Sequence, residues 1–285
     1  MKWSRRISDG IAYYSSSNEN NGNGSQNENN DDKATPVVFI HGVGLRAESW
    51  YQQVSAFDDR YRCYVIDMPG HGESDLLPNP TLTLEDFAAA LKTFIDNVVG
   101  APAIVVGHSL GAMTALQTAV SYPEAVLGVA ALNAIYDRPD NAAQDVQTRA
   151  ESLLNNLDQN VTDKPIARWF DGNPHYDKEA ELCRSWLDNG NRLGYAQAYR
   201  MFAHLRGIAA ADLKTITVPT LFLTGEMDVN SSPKMSLAMA NIVPNANAVI
   251  VPEARHMTQM THASAVNAAL ARFFAECDSH LTANT

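Results

Sequence analysis

Ile104-Val105-Val106-Gly107-His108-Ser109-Leu110-Gly111-Ala112-Met113 sets a serine between two glycines where an apolar, β-branched run meets a run of helix formers. A Gly-x-Ser-x-Gly sequence in that setting predicts a sharp strand-to-helix turn, too tight for side chains at Gly107 and Gly111. Ser109 is then pushed out at the carboxyl end of a buried strand, above a helix N-terminus. The pentapeptide alone is a weak pattern, and its weight depends on what partners the rest of the chain supplies.

Outward from this turn the chain alternates. Val37–His41 reads as a short buried strand that empties into Gly42-Val43-Gly44, and Ser49–Ala56 as a short helix. Tyr61–Ile66 is a second buried strand, closed by the turn Asp67-Met68-Pro69-Gly70-His71-Gly72. Thr83 is placed to cap a helix over Leu84–Val99, whose apolar positions share one face. Ala103–Val106 is the third strand; a helix from about Ser109 to Ser121 and a strand at Val126–Leu132 follow. From Asn133 to about Arg206 the pattern lapses into helical stretches near Ala142–Leu157, Lys178–Asp188 and Gly194–Leu205. Strands at Val218–Thr224 and Ala246–Val251 then return, with helices near Pro233–Ile242 and His262–Ala275.

The expected fold is α/β: a mostly parallel central sheet with helices on both faces and an inserted helical cap over one end of the sheet. The expected organisation is residues 1–36 as an N-terminal strand or hairpin, with a flexible Asn-rich loop over 15–32. Core halves are expected at 37–133 and 207–285, with the cap at 134–206 between them. In Ser15–Asp32 seven of eighteen residues are asparagine and none is apolar, so the segment has nothing to bury.

Composition narrows the function classes. With 45% hydrophobic and 19% charged residues the 285-residue chain is an ordinary globular one, and its net charge of −11 disfavours nucleic-acid or anionic-membrane partners. No apolar run is long enough to span a bilayer and no secretory leader is recognisable. The three cysteines, Cys63, Cys183 and Cys277, form neither a disulfide framework nor a zinc pattern, which favours a reducing cytoplasm. No metal or cofactor is expected.

A serine alcohol is a poor nucleophile at neutral pH and needs a histidine to take its proton and a carboxylate to support that histidine. In this architecture the order is serine, acid, histidine. Asp228 follows the Leu221–Thr224 strand and is the preferred acid; Glu226 is second, and Asp137 a weaker third, because Asn133 at the end of the fourth strand cannot carry the charge. His256 returns to the strand ends after Ala246–Val251 and is the natural base. His262 reads as a capping or surface residue, His41 and His71 as partners of loop backbone, and His108 as an orienting neighbour of Ser109. The backbone N–H groups of Val43 and Leu110 are the expected oxyanion donors.

His41-Gly42-Val43-Gly44 with Trp50, Asp67–Ser74, Gly107–Gly111, Gly225–Asp228 and His256 stand in the order found in capped serine hydrolases of the α/β-hydrolase superfamily, which the chain resembles from Val37 to Phe274. Gly194-Tyr195, Ala210–Leu213 and Val218-Pro219-Thr220 are similar to 3-oxoadipate enol-lactonases and related carboxylesterases. In departure from them, Arg255 precedes the histidine and Thr261-His262-Ala263 replaces the usual Glu-x-Pro. The resemblance implies Ser109, Asp228 and His256 as a triad, Val43 and Leu110 as the oxyanion hole, and a small-molecule ester or lactone as substrate. Trp169, Tyr195, Tyr199, Phe202 and Arg206 are candidate pocket residues. Arg149, Arg168, Arg184, Arg192, Arg200 and Arg206 supply candidates for the carboxylate clamp that the lactonase resemblance implies. Carbon-carbon bond hydrolysis of ring-cleavage diketones, cofactor-free perhydrolysis and non-catalytic ligand reception are the alternatives on this fold.

Overall fold

The computed structural model describes residues 5–16, 34–160 and 162–284. Eight strands form one sheet: β1 (Arg5–Ser8), β2 (Ile11–Ser15), β3 (Pro36–Ile40), β4 (Arg62–Ile66), β5 (Ala103–His108), β6 (Val126–Leu132), β7 (Thr220–Gly225) and β8 (Ala246–Val251). Their order is β1-β2-β4-β3-β5-β6-β7-β8. β1 and β2 form an antiparallel hairpin that joins the edge of β4; every later pairing is parallel. Ser15, expected in the Asn-rich loop, is the last residue of β2, and Ser16 exchanges hydrogen bonds with the backbone of Cys63. The rest of that loop lies outside the described residues.

Period-two alternation divides the core between the two faces of the sheet. Val38, Ile40 and Val105 pack with Phe87, Leu91 and Leu116 on one side, while Val37, Phe39, Ile104 and Val106 pack with Trp50, Phe57 and Phe274 on the other. The first side is covered by α2 (Leu84–Phe94) and α3 (Leu110–Ser121), the second by α1 (Tyr51–Phe57) and the closing helix (Ala263–Asn284). Thr83 caps α2 in a reciprocal arrangement with Asp86. The helix passes into a wider π turn over Ile95–Val99 and stops at Gly100, which has φ +72°.

Between β6 and β7 the chain forms α4 (Asp140–Asn155), α5 (Asp163–Phe170), α6 (Asp177–Asn189) and α7 (Arg192–His204). Three of these correspond to the expected helical stretches; α5, only eight residues long, was not anticipated. After α8 (Ala210–Leu213) and β7 come α9 (Pro233–Ala240), β8, α10 (Thr258–Thr261) and α11 (Ala263–Asn284), the last running nine residues past its expected end at Ala275. A separate small core joins the inserted helices to the strand-end loops: Ile166, Phe170, Cys183 and Leu187 pack against Leu45, Met257 and Met260. Among the described residues no helix is long and apolar enough to cross a membrane.

Candidate active site

β5 is one of the two middle strands of the six-stranded parallel set, and the chain leaves it through Ser109 at φ +54°, ψ −114°, a conformation that a serine adopts only under strain. Close packing explains the flanking glycines. A Cβ on Gly107 would stand 2.1 Å from the Gly111 carbonyl oxygen, and one on Gly111 2.3 Å from that of Ile40. The turn is pinned by the Ser109 N–H donating to Leu132 O at 2.8 Å.

Asp228 follows β7 in a loop that wraps its carboxylate. Oδ1 accepts the N–H groups of Asn230 (2.8 Å) and Ser231 (3.2 Å), and Oδ2 accepts Asn133 Nδ2 (2.8 Å). The same Oδ2 lies 2.8 Å from His256 Nδ1, which donates to it, leaving Nε2 as the basic nitrogen. Burial pushes the Asp228 carboxyl up, but the adjacent His256 and the donors from Asn133 and Asn230 outweigh it and hold the group below the usual carboxylate range. Asn133 is itself oriented, since Thr258 Oγ1 donates to its Oδ1 at 2.7 Å and so commits its amide nitrogen to the acid. Glu226 is exposed and accepts from Glu253 N instead, and Asp137 is exposed beyond β6.

The surrounding histidines bond to backbone and neighbouring side chains. His108 Nε2 donates to the His256 carbonyl at 2.8 Å, tying the elbow to the histidine loop, and burial followed by the nearness of His256 pushes its pKa down to about 3. His41 donates from Nδ1 to Gly42 O and accepts the Met68 N–H at Nε2, while His71 Nδ1 donates to Pro69 O. His262 hydrogen-bonds Thr261 Oγ1.

Ser109 and His256 open into one cavity of about 530 Å³ between the strand ends and the inserted helices. Val43, Trp169, Tyr195, Tyr199 and Phe202 line it; the Trp169 ring lies nearly parallel to the His256 ring, 6.3 Å away, and Tyr195 and Tyr199 stack at 5.8 Å. Leu110 is fully buried at the first position of α3, where N–H groups have no carbonyl partner within the helix.

Arg206 is a correction: it lies outside this lining, with its guanidinium paired to Asp140 on the surface. Arg184 and Arg200 are likewise paired outside, with Asp163 and Glu151, and Arg192 lines a smaller neighbouring cavity of about 90 Å³. Arg149 and Arg168 do line the large cavity, together with Arg138, which the sequence reading did not single out. Arg138 stands alone after a strand, without a motif around it; only the fold shows that it turns inward.

Residues 37–269 match the model of the alpha/beta hydrolase family, and the chain belongs to that family. It is 37% identical to the (E)-2-((N-methylformamido)methylene)succinate hydrolase of Acinetobacter baylyi, over 82% of this chain and 88% of that one. It is 26% identical to 3-oxoadipate enol-lactonase 1 of the same organism, over 70% of this chain and 74% of the other. In fold it is similar to a thermophilic esterase from Thermogutta terrifontis, with a TM-score of 0.77 at 24% identity, covering 97% of this chain and 98% of that one.

Proposed function

We propose that this protein is a serine hydrolase that cleaves a small carboxylic ester or lactone through an acyl-Ser109 intermediate. The observation that carries the reading is the buried Asp228–His256 hydrogen bond, at 2.8 Å, in the same cavity as a serine held on a strained turn. His256 Nε2 takes the Ser109 proton as the oxygen attacks the carbonyl carbon. The imidazolium so formed is stabilised by ionised Asp228 and returns the proton to the departing alkoxide or enolate. Water then attacks the acyl-enzyme by the same route, and His256 passes the proton back to Ser109. The N–H groups of Val43 and Leu110 hold the oxyanion, the second with the added support of the α3 N-terminus. The helices from Asp140 to His204 act as the cap that shuts the cavity from bulk water.

The 37% identity to a hydrolase whose named substrate carries an N-methylformamido group favours a second reading, attack by the same triad on an amide. A cytoplasmic setting accords with three buried free thiols at Cys63, Cys183 and Cys277. The test is a panel of aryl esters, lactones and N-formyl enamides given to wild type and Ser109→Ala. Turnover that depends on Ser109 is expected with at least one class. Equal background rates in both proteins, with a panel member still raising the melting temperature, would make the protein a receptor.

A further inference from the structure

α5 is the shortest of the helices α4 to α7, yet its last turn and its cap reach both of the loops that carry the base and the acid. Ile166 and Phe170, one turn apart, join Met257 and Met260 in the small core beside the histidine loop. Trp169 lies 6.3 Å from the His256 ring and 25° from parallel to it. Arg168 Nη1 donates to Asn230 Oδ1 at 3.3 Å, and the Asn230 N–H is one of the donors to Asp228. Asp171, which caps α5, accepts Arg255 Nη2 at 2.5 Å, one residue from the base.

Neither partner of that ion pair has a local reason to be charged. Asp171 stands at the carboxyl end of a helix, where the dipole disfavours a negative charge, and at φ +55°. Arg255 departs from the similar lactonases at the position before the histidine, and among the described residues Asp171 is the only carboxylate it pairs with. What the two residues do together is tie α5 to the loop of the base.

The His256 ring needs more than Asp228 to hold it. A single hydrogen bond at Nδ1 fixes one edge of the imidazole and leaves the ring free to turn about that bond, which would swing Nε2 away from Ser109. Two neighbouring rings limit the swing: His108, 4.9 Å away and tilted by 57°, and Trp169. His108 is itself bonded to the His256 carbonyl, so it holds the loop from the elbow side; Trp169 is the ring brought by the inserted helices. Placement of this kind matters because a reacting group displaced by about 1 Å can cost on the order of a hundredfold in rate.

We propose that α5 is a positioning clamp for the base: Trp169 flanks the His256 imidazole and keeps Nε2 directed at Ser109, and the Arg255–Asp171 ion pair fastens the helix to the histidine loop. The helices that enclose the cavity thereby also complete the base. The proposal rests on the hydrolase reading, and the experiment separates the two.

Wild type and variants are assayed on the smallest ester or lactone that wild type turns over, so that a lost wall contact reads in KM and a lost placement of the base in kcat. The variants are Trp169→Ala, Trp169→Phe, Arg255→Gln, Asp171→Asn and the last two combined; asparagine is chosen because it tolerates the positive φ at this position. Arg200→Gln, which breaks the ion pair with Glu151 elsewhere in the inserted helices, is the control. Trp169→Ala should lose about fivefold in kcat with KM within about twofold, and Trp169→Phe should recover most of it. Arg255→Gln and Asp171→Asn should each lose about two- to threefold in kcat, and the combination no more than either alone. Because the pair is partly exposed, about 1 M NaCl should bring wild type to their level and leave both variants unchanged. Arg200→Gln should match wild type. Urea unfolding shows that each variant is folded; if Trp169→Ala is not, Trp169→Leu, which keeps apolar bulk without a flat face, carries the test. A loss confined to KM, or kcat unchanged throughout, overturns the clamp and leaves the hydrolase reading standing. A loss in the Trp169 variants that the pair variants do not share overturns the fastening at Asp171 and leaves Trp169 in its role. Proton NMR gives a readout that needs no turnover: the low-field Nδ1–H signal of His256, identified by its absence from His256→Gln, should be sharp in wild type and broadened in Trp169→Ala. If no ester is cleaved but that broadening is seen, the clamp stands and the hydrolase reading falls; no cleavage and no difference between the two spectra overturns both.

Discussion

Replacing Asn133 isolates the support of the acid from the acid itself. Asn133 sits at φ +54°, so Asn133→Gly keeps the backbone relaxed, whereas alanine there would add about 1–2 kcal/mol of left-handed strain. Glycine removes one of the four donors to the Asp228 carboxylate and the acceptor of the buried Thr258 hydroxyl. A hydrogen bond to a charged group contributes about 1.5–3 kcal/mol. With three donors remaining the lower figure applies, and about 1.5 kcal/mol lost from the stabilisation of a forming imidazolium is roughly tenfold in kcat. Stranding the Thr258 hydroxyl adds about 1–3 kcal/mol of destabilisation. Asn133→Asp keeps the size but sets a second carboxylate against Asp228, and at neutral pH it should lose more activity than glycine. The assay is kcat and KM on the best ester of the panel, with urea unfolding to show that each variant is folded. A folded Asn133→Gly protein with kcat within twofold of wild type would refute the reasoning.

Other outcomes follow from the same geometry. Gly111→Ala would drive a methyl group into the Ile40 and His41 carbonyls, so loss of more than about 3 kcal/mol in urea unfolding, or failure to accumulate as soluble protein, is expected. Thr83→Ala removes the α2 cap and should cost about 1 kcal/mol of stability while leaving kcat unchanged. Burial pushes His71 down to about 4 and His108 to about 3, both below the ordinary histidine range near 6.5, so the unfolded chain takes up protons first. Stability is therefore complete above about pH 6.5 and falls on acidification, by on the order of 3 kcal/mol for His71 alone near pH 4; Asp228, held low in the fold, adds to the loss below about pH 4. Urea midpoints between pH 7 and 4 measure this, and His71→Gln should flatten the slope; a midpoint that does not move over that range would contradict it.

The parts of this fold that close packing dictates are written locally in the chain. Gly107 and Gly111 announce the elbow because no side chain fits there, and the unbroken apolar runs Val37–Ile40 and Ile104–Val106 mark strands buried on both faces. Asp228 and His256 follow from chain order, since each comes just after a strand whose carboxyl end faces the elbow. What depends on the rotation of a helix or the direction of a long side chain was not legible. Arg206 and Arg138 meet at the backbone, Arg138 N–H donating to Arg206 O, yet one guanidinium turns out to Asp140 and the other in to the cavity. α5 escaped because it is only eight residues long and carries proline in its first turn, although Ile166, Trp169 and Phe170 share one helical face. Asn133 was visible as a residue that cannot be the acid, but its role as donor to the acid needed the meeting of β6 and β7 loops in space.

The most direct test of acyl transfer at Ser109 is peptide-mapped mass spectrometry after treatment with a fluorophosphonate. The expected result is a single adduct on Ser109, formed as ester hydrolysis disappears and absent from Ser109→Ala. An adduct on another residue, or hydrolysis that survives complete modification of Ser109, would contradict it.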